Sequence, residues 1–199
     1  MQTLYHPQPV KYTGHQLRSR WILDTFGLQG DAIVAFEGPC EVALTEMVDL
    51  ADVAAGVPIA AASMLHFIAE HFDRDLEKAV LCQRLFICII AEALARRGDV
   101  PPLRRKGDDL YAGRGVAVGS GADAPPGERK LSVSIATVSP VSTLVHVGLN
   151  LDPSGAPVPA VGLDEWGIAP EPLARELLEA YATELDDVHA ATRKVRGVQ

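Results

Sequence analysis

Residues 129–136 carry the sequence RKLSVSIA, and this stretch decides how the chain is organised. Across residues 131–138, apolar side chains alternate with serine and threonine, which is the pattern of a β-strand with one buried face. A second β-rich run follows at residues 143–151, and the serine–proline pair at 139–140 is typical of a turn. The two runs are therefore predicted to be antiparallel neighbours, with Lys130 at the entrance to the hairpin.

Helices are predicted on both sides of this hairpin. The first spans residues 14–26 and has an apolar stripe along one face. The second begins after a cap at Asp73 or Asp75 and ends near Arg97. Because it is apolar almost all round, we expect other elements to cover most of it. The last helix is amphipathic and spans residues 170–192.

The remaining segments predict strands and one long loop. Residues 31–44 are rich in β-branched and aromatic side chains around a Gly-Pro pair, which predicts two strand pieces joined by a turn. Another strand is predicted at residues 64–72, and two short ones after the prolines at 101–102. The glycine-rich residues 113–127 predict a flexible surface loop. Hairpins without regular βαβ crossovers predict a single α+β domain over residues 1–199, with a largely antiparallel mixed sheet packed with helices.

Composition excludes several classes of protein. A net charge of −8 and a pI near 5.2 argue against a broad nucleic-acid surface, which requires clustered lysine and arginine. Three irregularly spaced cysteines are too few for a disulfide framework or a zinc site. The longest apolar run, residues 79–95, is interrupted by Gln83, Arg84 and Glu92 and is not expected to span a membrane. Residues 1–10 lack a signal-peptide pattern, so we expect a cytoplasmic protein.

Three short motifs resemble the catalytic core of the biotin and lipoate protein ligases. Asp108 and Asp109 lie where that family has an Asn-Asp pair, and Lys130 lies where it has a site lysine in an Arg-Lys turn. Residues 148–150, Gly-Leu-Asn, lie where the family has Gly-Ile-Asn. The resemblance implies a ligase-like fold over residues 14–188. The chain also resembles a small archaeal and bacterial family of unknown function that shares the sequences LHFI, GDDLY and KLSVSIATVSP.

Lys130 is the predicted centre of the chemistry. A lysine at the start of a strand can place its ammonium over a carboxyl, acyl-phosphate or phosphate group and stabilise negative charge during acyl transfer. Asp108 or Asp109 would then hold the lysine in position or bind a metal beside a nucleotide phosphate. The alternative is a surface lysine in a weak ion pair.

Further residues are candidates for the same site. His66 is either a buried, hydrogen-bonded histidine or a general base. His71, five residues later, is predicted to lie on the opposite face of the strand. Cys40 lies in a predicted turn and is either an exposed acyl acceptor or a core residue. The predicted ligand-binding residues are Arg18, Arg20, Ser132, Ser134, His146 and Asn150.

One departure from the ligase pattern bears on the reaction. The ligases bind an adenylate through a glycine-rich and arginine-rich loop between early strands, whereas residues 31–72 contain no such loop and residues 56–63 are small and mostly apolar. ATP or an acyl-adenylate therefore stays an open question as cofactor. We expect an acyl- or cofactor-transferring ligase or transferase. A transferase that takes an already activated acyl group, or a different small-molecule reaction on the same scaffold, would need fewer phosphate contacts.

The partners follow from this hypothesis. They are a small anionic molecule and an acceptor protein, and a homodimer formed through sheet edges is compatible with it. The alternatives are a non-catalytic small-molecule-binding module on the ligase scaffold, and a structural subunit whose sheet edge pairs with itself.

Overall fold

The computed structural model describes residues 1–113 and 127–198, which form two β-sheets packed with helices. The larger sheet contains, in spatial order, β1 (Gln2–His6), β2 (Ala32–Val42), β3 (Ile59–His71), β8 (Thr143–Asp152) and β7 (Ser132–Val138). The smaller sheet contains β4 (Leu103–Lys106), β5 (Asp109–Ala112) and β6 (Arg129–Lys130). Only β1 and β2 pair in parallel among the described strands. The predicted α+β class with a largely antiparallel mixed sheet is confirmed.

Four α-helices lie in the described ranges: α1 (Trp21–Phe26), α2 (Leu50–Ala55), α3 (Leu76–Ala95) and α4 (Pro170–Arg193). The α3 helix begins where the sequence predicted, because the side chain of Asp75 accepts a hydrogen bond from the backbone N–H of Lys78. No helix in the part of the chain that the structure describes is long and apolar enough to cross a membrane. Residues 114–126, most of the predicted flexible loop, lie outside the described residues.

The larger sheet separates two hydrophobic cores. On one face, α3 and α4 pack so that the ring of Phe86 contacts both Phe67 of β3 and Tyr181 of α4. The opposite face is covered by α1 and the residues before it. His71 lies 3.1 Å from the hydroxyl of Tyr181, while His66 contacts Phe36 in the other core. The prediction that these two histidines occupy opposite faces is therefore confirmed.

The first helix is shorter than predicted. It begins at Trp21 instead of residue 14, because Arg20 has a left-handed backbone conformation with φ 62°. The backbone N–H of Arg20 donates to a carboxylate oxygen of Glu70 at 2.8 Å, whereas a residue inside a helix would donate to a carbonyl oxygen of the preceding turn. Arg18 and Arg20 are consequently placed on an irregular segment at the surface.

The predicted turn at Gly38-Pro39 is also wrong, since β2 runs through it. The register of β2 against β3 shifts between Gly38 and Cys40, which is the signature of a β-bulge. A Cβ atom at position 38 would lie 2.1 Å from the carbonyl oxygen of Val10, so only glycine allows the N-terminal segment to cross β2 at this point. The crossing places Tyr12 beside Cys40.

Replacing Gly38 with Ala should separate the N-terminal segment from β2. We expect Gly38→Ala to lower the free energy of unfolding by about 2 to 3 kcal/mol, because the clash is with backbone that has little room to move. Gly98→Ala is the matched control, since nothing lies within 4 Å of the position that its methyl group would occupy, and it should stay within about 0.5 kcal/mol of the parent. Urea unfolding measures both, and equal stabilities would show that the crossing is not tight.

Candidate functional site

Lys130 projects from a firmly held point of the backbone. Its N–H donates to the carbonyl oxygen of Pro159 at 2.9 Å, and its carbonyl oxygen accepts from the N–H of Val161 at 3.0 Å. The same carbonyl accepts from Nδ2 of Asn150 at 3.1 Å. Asn150, a predicted ligand-binding residue, therefore fixes the backbone from which the Lys130 side chain extends.

The ammonium of Lys130 is paired with Asp109. Nζ lies 2.7 Å from Oδ2, and the two side chains are 25% and 19% exposed, so the pair is largely shielded from water. Oδ1 of Asp109 is fully buried and has no hydrogen-bond partner among the described residues. Buried polar atoms are normally satisfied, so an unsatisfied oxygen on a buried ion pair is an exception that makes Asp109 a candidate functional residue.

The Asp109 carboxyl group changes its protonation state not far below neutral pH. Burial is the main reason that the pKa of Asp109 is raised to about 6, against the opposite effect of Lys130, and the charges of Asp108 and Asp52 add to the rise. Burial alone would lower the pKa of Lys130, but Asp109 outweighs it and the pKa is raised. Both groups are therefore charged at neutral pH, and Asp109 becomes neutral as the pH falls through about 6.

A small pocket opens on the sheet face opposite α3 and α4. Its volume is about 50 Å³, and it is enclosed by residues 12–17, by part of the segment 43–58, and by β7 and β8. Lys130 and Asp109 are not among its lining residues. Asp52 does line it, and its charge acts on both members of the pair. The ion pair thus lies within electrostatic reach of the pocket wall.

Two hydrogen-bonded histidines lie beside this pocket, and one of them, His146, lines it. Nε2 of His66 lies 3.2 Å from the carbonyl oxygen of Gly38, so it carries the proton, and Nδ1 of His66 lies 3.1 Å from Nε2 of His146. Burial lowers the pKa of His66 to about 4 and that of His146 well below its ordinary value, so both rings are neutral at physiological pH. Tyr12 stacks on His146 with ring centroids 3.8 Å apart and 9° between the planes.

The hydroxyl groups of the predicted serines and the carboxylate of Asp108 lie on the helix side of the sheet, while Ser134 is also among the residues that line the pocket. Oγ of Ser132 accepts from the backbone N–H of Leu110 at 2.9 Å and so joins the two sheets. Nε2 of Gln83 donates to Oγ of Ser134 at 2.7 Å and to Oδ2 of Asp108 at 2.8 Å. These contacts fasten β5 and β7 to α3. Asp109 and not Asp108 is the aspartate that contacts Lys130.

Among the other predicted residues, the two arginines lie outside the pocket lining and the cysteine lies within it. Arg18 and Arg20 do not line the pocket. Cys40 does line it, but its side chain is buried and burial raises the pKa of the thiol to about 12. The interpretation of Cys40 as an exposed acyl acceptor in a turn is wrong, because the residue belongs to β2. In the described residues, no group of three or more histidine, cysteine or acidic side chains is arranged to hold a metal ion.

Sequence reasoning missed the residues that close the pocket. Tyr12 belongs to no periodic pattern, and only the close approach at Gly38 brings it to the sheet. Asp52 lies on α2, which the sequence did not predict. Two signals for that helix were present: Asp49, whose side chain caps it by accepting from two backbone N–H groups, and Gly56 at its end.

Comparison with known proteins agrees with this architecture. A protein of unknown function from Pyrococcus horikoshi is 37% identical, with a TM-score of 0.87, and the match covers 100% of this chain and 99% of that one. A mutant biotin protein ligase from Aquifex aeolicus, solved in complex with biotin, is 14% identical with a TM-score of 0.55, and the match covers 94% of this chain and 70% of that one. A proposed lipoate protein ligase from T. acidophilum is 12% identical with a TM-score of 0.55, and the match covers 93% of this chain and 85% of that one.

The ligase-like fold implied by the sequence motifs is therefore confirmed, at a level of identity that concerns the fold alone. The resemblance to a family without an assigned reaction is confirmed as well. The model of the domain of unknown function DUF366 matches residues 1–196, and the chain accordingly belongs to the DUF366 family.

Proposed function

We propose that the chain is an acyl- or cofactor-transferring enzyme in which Lys130 binds the negatively charged group of a small molecule. The observation that supports this best is the shielded Asp109–Lys130 pair with its unsatisfied carboxylate oxygen. Burying two charges costs free energy that a hydrophobic pair would not, so such a pair is often kept for its chemistry. The fold shared with a ligase solved in complex with biotin supports the same position.

In this proposal the ammonium and the carboxylate have separate tasks. Lys130 moves from Asp109 to the ligand and stabilises negative charge on the acyl or phosphate oxygen, which is effective in a site shielded from water. Transfer forms a bond between the acceptor and the acyl carbon, breaks the bond to the leaving group and releases a proton. Asp109, with a pKa of about 6, is suited to take that proton once its partner has moved.

The charge of the segment 43–58 favours a donor that is already activated. This segment contains no lysine or arginine and carries Glu46, Asp49 and Asp52. The triphosphate of ATP would meet like charges there. The same feature favours the second candidate function, a non-catalytic binding module on the ligase scaffold, because such a module has no need of a phosphate-binding loop.

A ligand panel tests the proposal and separates the two candidates. Biotin, lipoate, octanoate, ATP, biotinyl-adenylate and octanoyl-adenylate are screened by thermal shift, and at about 100 times its Kd a true ligand should raise the Tm by about 5 to 10 °C. Lys130→Met should abolish the rise. Lys78→Met is the matched control, because Lys78 forms a similar pair with Asp73 at 2.6 Å on the surface, and it should leave the rise unchanged.

Product analysis then decides between enzyme and module. Consumption of an adenylate, followed by mass spectrometry in the presence of an amine acceptor, supports the enzyme. Stabilisation without consumption supports the module. If no member of the panel stabilises the protein, or if Lys130→Met responds like the parent, both candidates fail.

Anion binding should strengthen at lower pH. Ionised Asp109 competes with an anion for Lys130, and protonation of Asp109 below about pH 6 removes the competitor. The Kd of octanesulfonate, whose own charge does not change, should rise by up to about tenfold per pH unit above pH 6 and level off below it. Asp109→Asn should flatten this profile. A Kd that does not vary between about pH 5.5 and 8 in the parent, measured by calorimetry, would contradict the competition.

The stability of the pair is a separate prediction. Lys130→Met leaves a buried carboxylate without its partner and should lower the free energy of unfolding by about 3 kcal/mol, whereas the double variant Lys130→Met/Asp109→Asn should regain most of the loss. The corresponding double-mutant cycle on the more exposed pair of Lys78 and Asp73 should give an interaction free energy of less than about 1 kcal/mol. Urea unfolding measures both cycles, and a small effect at Lys130 would mean that water reaches the pair.

A further inference from the structure

The pocket beside the ion pair has an acidic rim. Glu46, Asp49 and Asp52 line it, and no lysine or arginine is among its lining residues in the described part of the chain. Asp49 also caps α2, and Glu46 lies 3.2 Å from Nδ1 of His15, so these carboxylates are held in place. The charged side chains among these lining residues are all acidic, and such a lining favours a positively charged group.

His146 adds a directed hydrogen-bond acceptor. The carbonyl of Gly38 can only accept, so His66 carries its proton on Nε2 and its Nδ1 must accept from Nε2–H of His146. In a neutral ring, Nδ1 of His146 is then an unprotonated acceptor. His146 is 97% buried, since only 3% of its surface is exposed, and its ring lines the pocket.

Nδ1 of His146 has no hydrogen-bond partner in residues 1–113 and 127–198. The only fully occluded side-chain atom without a partner in these ranges is Oδ1 of Asp109. Nδ1 of His146 therefore keeps access to the pocket that its ring lines. An N–H or O–H group, from water or from a bound ligand, can satisfy it.

The volume of the pocket and the arrangement of its lining residues restrict which ligand can bind. A cavity volume of about 50 Å³ admits a group of a few non-hydrogen atoms, because about 10 to 15 Å³ in the same measure holds one water molecule. A coordinated metal ion is a poor fit, because the described residues bring together no set of three side chains able to ligate one. An ammonium head group satisfies the volume, the charge and the acceptor together.

We propose that this pocket binds the ammonium group of a small organic amine, which donates to Nδ1 of His146 and is balanced by the carboxylates of Asp52, Asp49 and Glu46. Apolar side chains, among them Leu17 and Val133, also line the pocket and would contact the carbon atoms next to the nitrogen. The inference goes beyond the proposed function, because it concerns residues other than Lys130 and Asp109 and holds whether or not acyl transfer takes place.

Isosteric probes test the charge requirement. Propylammonium, 1-propanol and propionate are titrated into the full-length protein while backbone amide signals are followed by NMR. Propylammonium should give saturable shifts at Tyr12, Asp52 and His146, with a Kd at least about tenfold lower than that of 1-propanol, and propionate should give none. Equal affinity for the amine and the alcohol would overturn the proposal, and so would zinc or magnesium ions saturating the same signals.

Variants test the residues. His146→Phe keeps the aromatic stack but removes the acceptor, and it should weaken propylammonium binding by about tenfold. Asp52→Asn should weaken it severalfold and serves if His146→Phe does not fold. Asp24→Asn is the matched control on α1, away from the pocket lining, and it should bind as the parent does. If the parent binds the amine but no member of the adenylate panel stabilises it, the proposed function fails and the amine site stands.

The tautomer of His146 can be observed directly. Long-range ¹H–¹⁵N spectra of the imidazole rings should show His146 protonated on Nε2, and the Nδ1 resonance should move when propylammonium is added. A ring protonated on Nδ1 would remove the acceptor and overturn the proposal. Unchanged binding in both Asp52→Asn and His146→Phe would do the same.

Discussion

The pairing of β3 with β8 is the constraint on which the rest of the structure depends. It sets Ile68 opposite His146 and Gly148 opposite His66, and this brings the two histidines within hydrogen-bond distance on one face while Phe67 enters the helix core on the other. A slip of one residue would exchange these faces along the whole strand. A Cβ atom at Gly148 would lie 2.9 Å from the terminal methyl group of Met64, which would have to shift to make room for it.

The second constraint is the joint between the two sheets. Leu110 donates its N–H to the side chain of Ser132 and accepts at its carbonyl from the N–H of Leu131, so the small sheet is fixed to the edge of the large one. Asp109 on β5 and Lys130 on β6 flank this joint, which explains why their charges are shielded from water although neither lies in a helix core. The ion pair is thus a consequence of sheet assembly, and that assembly leaves one oxygen of Asp109 buried without a hydrogen-bond partner in the described residues.

Short-range sequence patterns were enough to predict the helices and strands whose bounds depend on neighbouring residues. The β7–β8 hairpin and the long helices α3 and α4 follow from hydrophobic period, caps and turn residues, and each lies close to its predicted bounds. The errors arose where distant residues decide the backbone, as when Glu70 sets the conformation of Arg20 from 50 positions away. In the site, the motif likeness directed attention to Lys130, but which aspartate reaches it depends on how β5 meets β6. Tyr12 and Asp52 enter the site only through long-range packing, for which a single sequence carries no pattern.

The sheet and the segment 43–58 supply different parts of the candidate site. The sheet, whose fold resembles that of the ligases, places His146 in the pocket wall and supplies backbone hydrogen bonds near Lys130. The segment 43–58 lies between early strands, where the ligase resemblance leads one to expect a glycine-rich and arginine-rich loop, and here it is acidic and partly helical. Because Coulomb interactions depend on the sign of the charge, the acidic segment gives the pocket wall a charge opposite to that of an arginine-rich loop, while the fold of the sheet is the same. Likeness of fold therefore concerns the scaffold, and the charge around the candidate site is a property of this chain's own residues.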